Sequence, residues 1–257
     1  ELQLWSRGDS GVGLGSGLGT TARSAQHWAR SFSQSVGGGE INCVSLYGTT
    51  LACGCEDGSV PLFRLHKEAG VFMLYSLLRL QHLPVSSAQT GGPRTPSEVM
   101  CVALHSVLFS RNAPLLASGA QDGSVCLWNC LSGQLLQTLD AHEPHSGWVM
   151  ALQLERWPDE QREGLLLTAS YDKTVKVWTH SAAGAPNRTT VLGGGWILES
   201  VLKGHVDGVL SVALSRSRRV AFSGSNDRTV RAWSIQQAVC LHVINAFDEP
   251  VSALSWH

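Results

Sequence analysis

The sequence predicts an all-β protein built from repeated four-stranded antiparallel units. The first reason is a spaced pattern that occurs four times. Phe222-Ser223-Gly224-Ser225-Asn226-Asp227 leads to Val230-Arg231-Ala232-Trp233, and Leu116-Ala117-Ser118-Gly119-Ala120-Gln121-Asp122 leads to Val125-Cys126-Leu127-Trp128. Leu167-Thr168-Ala169-Ser170-Tyr171-Asp172 leads to Val175-Lys176-Val177-Trp178, and Leu51-Ala52-Cys53-Gly54-Cys55-Glu56-Asp57 leads to Val60-Pro61-Leu62-Phe63. In every copy an Asp stands six residues before a large aromatic and four residues after Ser223, Ser118, Thr168 or Cys53. The second reason is period-two alternation: Thr229, Arg231 and Trp233 interleave with Val230 and Ala232, as a pleated strand requires. Each copy reads as strand, tight turn, strand.

The elements follow in order. Leu2–Trp5 reads as the third strand of a partial unit, residues 6–24 as a Gly/Ser/Thr-rich loop, and Gln26–Phe32 as the outer strand of that unit. The first full unit has strands at Ile41–Leu46, Thr50–Cys55, Ser59–Arg64 and Phe72–Leu78. The second has Met100–Leu104, Leu115–Ala120, Ser124–Asn129 and Gln134–Leu139. The third has Trp148–Leu154, Leu165–Ser170, Thr174–Thr179 and Ile197–Leu202. The fourth has Val209–Leu214, Val220–Ser225, Thr229–Ser234 and Val239–Ile244, and Val251–Trp256 opens a fifth. The chain thus divides into a partial unit (1–40), a unit (41–80), an insert (81–98), a second unit (99–141), a third with two inserts (142–203), a fourth (204–248) and a further first strand (249–257). The turn aspartates are 65, 50 and 55 residues apart, longer than the roughly 40–45 of a compact repeat of this kind. The excess falls in 81–98, in 155–164 as a lengthened first-to-second strand turn, and in 181–195.

A net charge of −1 gives no general attraction to nucleic acid or anionic membrane. No apolar run spans a bilayer, and Glu1–Trp5 has no signal-peptide layout. Without an initiator Met the chain reads as a piece of something longer. The seven cysteines lie in strand-like runs without a Cys-x-x-Cys pair, as buried reduced thiols of an intracellular protein would. No cofactor or metal is expected.

These residues resemble the WD-repeat (WD40) family of β-propellers over nearly everything after residue 40. The resemblance implies a buried hydrogen-bonded tetrad in each blade. The fourth blade matches with His205 (of Gly204-His205), Ser223, Asp227 and Trp233. The third keeps Thr168, Asp172 and Trp178, with His142 or His145 as donor. The second keeps Ser118, Asp122 and Trp128, and the segment before Met100 supplies no Gly-His. The first is degenerate, keeping Asp57 but carrying Cys53 and Phe63. A buried-turn Asp needs donors, which imidazole, hydroxyl and backbone amides provide. A Ser/His/Asp hydrolase triad would draw on the same residue types, but a catalytic site does not repeat once per blade. The resemblance also implies that four full blades plus partial terminal blades are a window on a longer, seven-bladed ring.

Propellers of this family bind partners on the face made by the second-to-third strand turns and the blade links. That places Glu56, Gln121, Tyr171 and Asn226 there, with Trp148 and Asp207 on the links. Tyr171 could equally be an idle exposed ring, and Trp148 a strand residue buried between blades. Arg216, Arg218 and Arg219 form a basic turn on the opposite face, a solvated turn in its plain reading and a phosphate-binding patch in its sharper one. The expected function is a non-catalytic scaffold in a multiprotein assembly, with proteins as partners and neither membrane nor small-molecule substrate. A substrate receptor of a ubiquitin ligase and an RNA- or ribosome-associated propeller are the alternatives.

Overall fold

The computed structural model describes residues 2–7, 28–34, 39–68, 71–82, 96–105, 114–139, 144–159, 162–181, 195–215 and 219–255. Among them are eighteen strands and no helix. Strand β1 (Leu2–Arg7) pairs antiparallel with β2 (Trp28–Gln34). Blade 1 follows as β3 (Ile41–Tyr47), β4 (Thr50–Cys55), β5 (Ser59–Glu68) and β6 (Val71–Gln81). Blade 2 holds β7 (Val99–His105), β8 (Leu115–Ala120), β9 (Val125–Asn129) and β10 (Leu135–Thr138). Blade 3 holds β11 (Val149–Asp159), β12 (Arg162–Ser170), β13 (Thr174–Ser181) and β14 (Gly195–Lys203), and blade 4 holds β15 (Val209–Ser215), β16 (Val220–Ser225), β17 (Val230–Ser234) and β18 (Val239–Ile244). Each blade is an up-and-down meander in chain order, so the fold is an all-β propeller built of four-stranded blades.

Three expectations need correction. Residues 155–164 are not a turn: the register continues through Glu155↔Leu165 and Arg156↔Gly164 to Asp159↔Arg162, so the hairpin lengthens past the blade. The run there is polar, without the alternation of apolar and polar residues that marks a strand in sequence. Trp148 does not start a strand; β11 begins one residue later and Trp148 is exposed. Residues 251–255 are not assigned as strand, although Val251 N donates to Ser225 O at 3.0 Å. The inserted residues 83–95 and 182–194 lie outside the described residues.

Burial runs from the second strand outward. All six residues of β4 and of β8 are buried, and all six of β18 are exposed. The second strand lies between two neighbouring blades, so both faces are dry and its sequence loses the polar half of the alternation. Three of the four core clusters sit between blades, and the fourth packs Leu51, Cys53, Cys55, Phe63 and Leu74 within blade 1. One joins Ala52, Val60 and Leu62 of blade 1 to Leu104, Leu116 and Trp128 of blade 2. The next joins Leu127 and Val125 to Leu154, Leu166 and Trp178, and the third joins Leu165, Leu167 and Val177 to Val212, Leu214 and Trp233.

The blades meet closely where a second-strand glycine receives a valine of the next blade or of the segment after it. A Cβ on Gly119 would lie 2.6 Å from Val149 Cγ1, and one on Gly224 would lie 2.6 Å from Val251 Cγ1. The same valines are held by side-chain donors: Cys101 Sγ donates to Val149 O at 3.1 Å and Ser211 Oγ to Val251 O at 3.3 Å. Burial pushes the Cys101 thiol well above its usual range, keeping it protonated for that bond. All seven cysteines are free thiols.

Blade 3 carries a further clamp on blade 2. Gln137 Nε2 donates to Trp196 O at 2.8 Å, and Trp196 N donates to Gln137 Oε1 at 2.9 Å. One amide side chain thus satisfies both backbone groups of a residue whose ring is buried. Gln137→Ala should cost about 2 kcal/mol, since two part-buried backbone groups lose their partners. A fall in urea midpoint at unchanged slope would show it, with the exposed neighbour Leu136→Ala changing stability by less than about 0.5 kcal/mol.

Candidate functional site

The four turns share one construction. In each, an Asp Oδ1 accepts from the amide two residues on: Asp57 from Ser59 at 2.9 Å, and Asp122, Asp172 and Asp227 from Ser124, Thr174 and Thr229 at 3.0 Å. This side-chain turn fixes the hairpin locally. The third turn residue is left-handed throughout: Gly58, Gly123, Lys173 and Arg228 have φ of 77, 85, 72 and 64°.

In blades 3 and 4 the second carboxylate oxygen reaches the preceding link. His145 Nδ1 donates to Asp172 Oδ2 at 2.7 Å, and His205 Nδ1 to Asp227 Oδ2 at 2.8 Å. The other ring nitrogens lie 2.7 Å from Thr168 Oγ1 and Ser223 Oγ, which accept the indole N–H of Trp178 at 3.1 Å and Trp233 at 2.8 Å. An indole N–H can only donate and a carboxylate can only accept, so the direction of every bond follows. Indole donates to hydroxyl, hydroxyl to Nε2, and Nδ1–H to carboxylate, with a neutral imidazole between. The donor in blade 3 is therefore His145; His142 lies outside the described residues.

Blade 2 takes its histidine without a Gly-His pair. His82, at the end of β6, is fully buried. Trp128 Nε1 donates to Ser118 Oγ at 2.9 Å, His82 Nδ1 lies 2.9 Å from that oxygen, and His82 Nε2 lies 2.7 Å from Ser124 Oγ. Ser124 Oγ donates onward to Asp122 Oδ1, so the relay runs the same way with one extra hydroxyl. Residues 83–98 separate His82 from its own β7, and so no Gly-His was visible before Met100. Asp57 and Asp122 are exposed, not buried as expected for turn aspartates. In blade 1 no imidazole among the described residues covers the carboxylate; Arg79 Nη2 bridges Asp57 Oδ2 at 3.2 Å and Ser59 Oγ at 2.9 Å from the surface.

Burial fixes the charge states. It drives His82 from 6.5 down to about 4, and it lowers His145 and His205 against the pull of Asp172 and Asp227. Burial alone would raise the two carboxyls, but His145 and Thr174 bring Asp172 well below the usual range, and Thr229, His205 and Val206 bring Asp227 to about 2. The unfolded chain takes up a proton near pH 6.5 that the folded chain refuses at His82 until about pH 4. Stability is full above that window and falls as pH drops through it, by about 3 kcal/mol for His82. Below about 3.8 the two aspartates add a second loss. Urea midpoints at about pH 7 and 4.5 should fall less steeply in His82→Gln than in the wild type.

Ser118, Thr168 and Ser223 are completely buried and already hold an indole N–H. They cannot present oxygen to a substrate, so the relay is a set of internal fastenings.

What reaches solvent on the turn face is different. Trp148 and Tyr171 are exposed by 43% and 45%, with ring centroids 6.0 Å apart and planes tilted by 50°. Asn226 Nδ2 of blade 4 donates to Tyr171 Oη at 3.0 Å. A Cβ on Gly208 would lie 3.1 Å from the Tyr171 ring, which therefore rests on that link. Glu56 and Asp207 are exposed and Gln121 is half-buried. The structure brings Trp148, Tyr171 and Asn226 together; Glu56 stays apart on blade 1. Arg219 is an exposed turn residue with φ of 52°, and Arg216 and Arg218 lie outside the described residues. At the other end of the inner strands, Tyr47, His105, Gln153 and Glu155 line a cleft. There His105 Nε2 stands 3.6 Å from Glu155 Oε2, and Gln153 Nε2 donates to Glu155 Oε1 at 2.9 Å; nothing in the local sequence pointed to this cleft.

No helix among the described residues is long and apolar enough to cross a membrane. The family described as WD domain, G-beta repeat matches residues 88–129, 133–179 and 196–234. Pre-mRNA-splicing factor PRP46 of Candida albicans is 30% identical over 122 residues, 48% of this chain and 25% of its own. Nuclear distribution protein nudF of Aspergillus niger is 28% identical over 165 residues, 64% of this chain and 32% of its own. Pre-mRNA-processing factor 19 of Bos taurus is 32% identical over 124 residues, 48% of this chain and 21% of its own. The chain thus matches a third or less of the length of each of these relatives.

Proposed function

Because this chain belongs to the WD-repeat family of β-propellers, we propose that it is a non-catalytic docking platform within a multiprotein assembly, and that its partner sits on the turn face. One observation carries the reading: the exposed Trp148–Tyr171 pair, held by Asn226 of the next blade. Aromatic residues that are exposed yet already positioned lose little entropy on binding, which is why they concentrate binding energy at interfaces. The relatives' names speak of pre-mRNA splicing and of nuclear distribution. What such different roles can share is docking, and that supports a platform over a dedicated ubiquitin-ligase receptor. An RNA- or ribosome-associated role rests only on the arginine turn. The location this reading implies is inside the cell, in nucleus or cytoplasm.

The test is an affinity pull-down with mass spectrometry from native extract. The double variant Tyr171→Ala/Gln121→Ala should lose a defined set of proteins that the wild type retains. The Arg216/Arg218/Arg219→Glu variant should keep them. Loss of RNA or ribosomal proteins from the arginine variant alone would transfer the site to the opposite face.

A further inference from the structure

The turn face has a chemical bias that narrows its partner. The first turn residues (Glu56, Gln121, Tyr171, Asn226) and the pairs ahead of Val99, Val149, Val209 and Val251 (97–98, 147–148, 207–208, 249–250) occupy one end of the blades. They are joined by Gln121 N to Glu98 O, Tyr171 N to Trp148 O and Asn226 N to Gly208 O, each at 2.9 Å. These twelve positions hold four carboxylates (Glu56, Glu98, Asp207 and Glu249), two aromatic rings and no Lys or Arg. Lys173 and Arg228 enter only at the third turn position, where the other two turns have glycine.

We infer that this face takes a cationic side chain, a lysine or arginine on an extended segment of a protein partner, against the Trp148 and Tyr171 rings. The inference rests on the platform reading and adds the partner's chemistry. An aromatic face is the negative part of its quadrupole, so a cation above it is attracted and an anion repelled. The carboxylates spread along this end of the blades act in the same sense and over a longer range, raising the rate of encounter with a basic segment and disfavouring acidic ones. The receiving geometry is already set, because the Tyr171 ring lies on Gly208 and its hydroxyl is tied to Asn226. An acidic or phosphorylated segment laid on the rings would meet their negative faces on an end of the blades that also carries carboxylates.

The test uses the full chain and three fluorescein-labelled Gly/Ser peptides that differ only in carrying arginines and lysines, glutamates, or leucines. Fluorescence anisotropy should show binding of the basic peptide alone. Affinity should fall about tenfold or more in Trp148→Ala, a variant at an exposed site whose fold is checked by circular dichroism. It should also fall as salt rises from about 50 to about 500 mM. Equal binding of the acidic or the leucine peptide overturns the inference, as does basic-peptide binding that Trp148→Ala leaves unchanged. The pull-down separates this from the platform reading by adding Asp207→Lys/Glu249→Lys. If Tyr171→Ala/Gln121→Ala loses its proteins and the charge-reversed variant keeps them, the cationic partner is wrong and the platform stands. If both variants keep everything, the platform reading falls with it.

Discussion

Gly123→Ala will destabilise the protein by about 3 kcal/mol or more, whereas Lys173→Gly and Arg228→Gly, at the same turn position, will each change stability by less than about 1 kcal/mol. All of these residues are left-handed, so conformation alone predicts a similar cost for any side chain. The difference is space. A Cβ on Gly123 would stand 2.2 Å from the carbonyl oxygen of His145 and 3.2 Å from that of Gly147, both backbone atoms of the link into blade 3. Backbone cannot step aside as a side-chain tip does, so the link must move and carry His145 away from Thr168 and Asp172. Urea denaturation of the three variants checks this. A Gly123→Ala cost below about 1 kcal/mol would show that the link yields freely and that the close approach constrains nothing.

Asp227→Asn should cost about 3 kcal/mol, and Asp57→Asn less than about 1. Asp227 accepts from Thr229 N and Oγ1 on one oxygen and from His205 Nδ1 and Val206 N on the other. An amide in its place points two donors at two donors inside a buried network. Asp57 has the same aspartate-to-amide bond within its turn, but its outer oxygen meets an exposed Arg79 that can turn to water. Equal losses at the two positions would mean that the turn alone, rather than its tie to the preceding link, sets the energy. Thermal melts of both variants decide it.

The parts of this arrangement that were legible are those written within one hairpin. Asp227 and Trp233 are joined through six residues of turn and strand, and the same holds in each blade, so spacing alone exposed the four units. The histidine is a different matter, because it arrives from the link and link length varies. His205 was readable because its link is short, His145 was ambiguous beside His142, and His82 was hidden by the residues inserted after it. Contacts between blades leave no local mark at all. Gln137 and Trp196 are 59 residues apart, and neither residue type predicts that an amide will close on a backbone. Trp148 reads from the sequence as the first residue of a strand, yet the strand starts after it, and a one-residue difference separates a core ring from a surface one.

The placement of the hydrophobic clusters has a consequence for how the molecule could be divided. Three of the four clusters belong to a junction and draw side chains from both blades, while the fourth, Leu51, Cys53, Cys55, Phe63 and Leu74, lies within blade 1. A cut made at a repeat boundary between two of these blades therefore opens an apolar wound on both fragments, and an excised blade would lose the shared interior at each of its junctions. The smallest piece able to stand by itself is a neighbouring pair. Removing one blade from the middle deletes two interiors and leaves only one new seam to replace them, so the minimal interchangeable part of this protein is the seam.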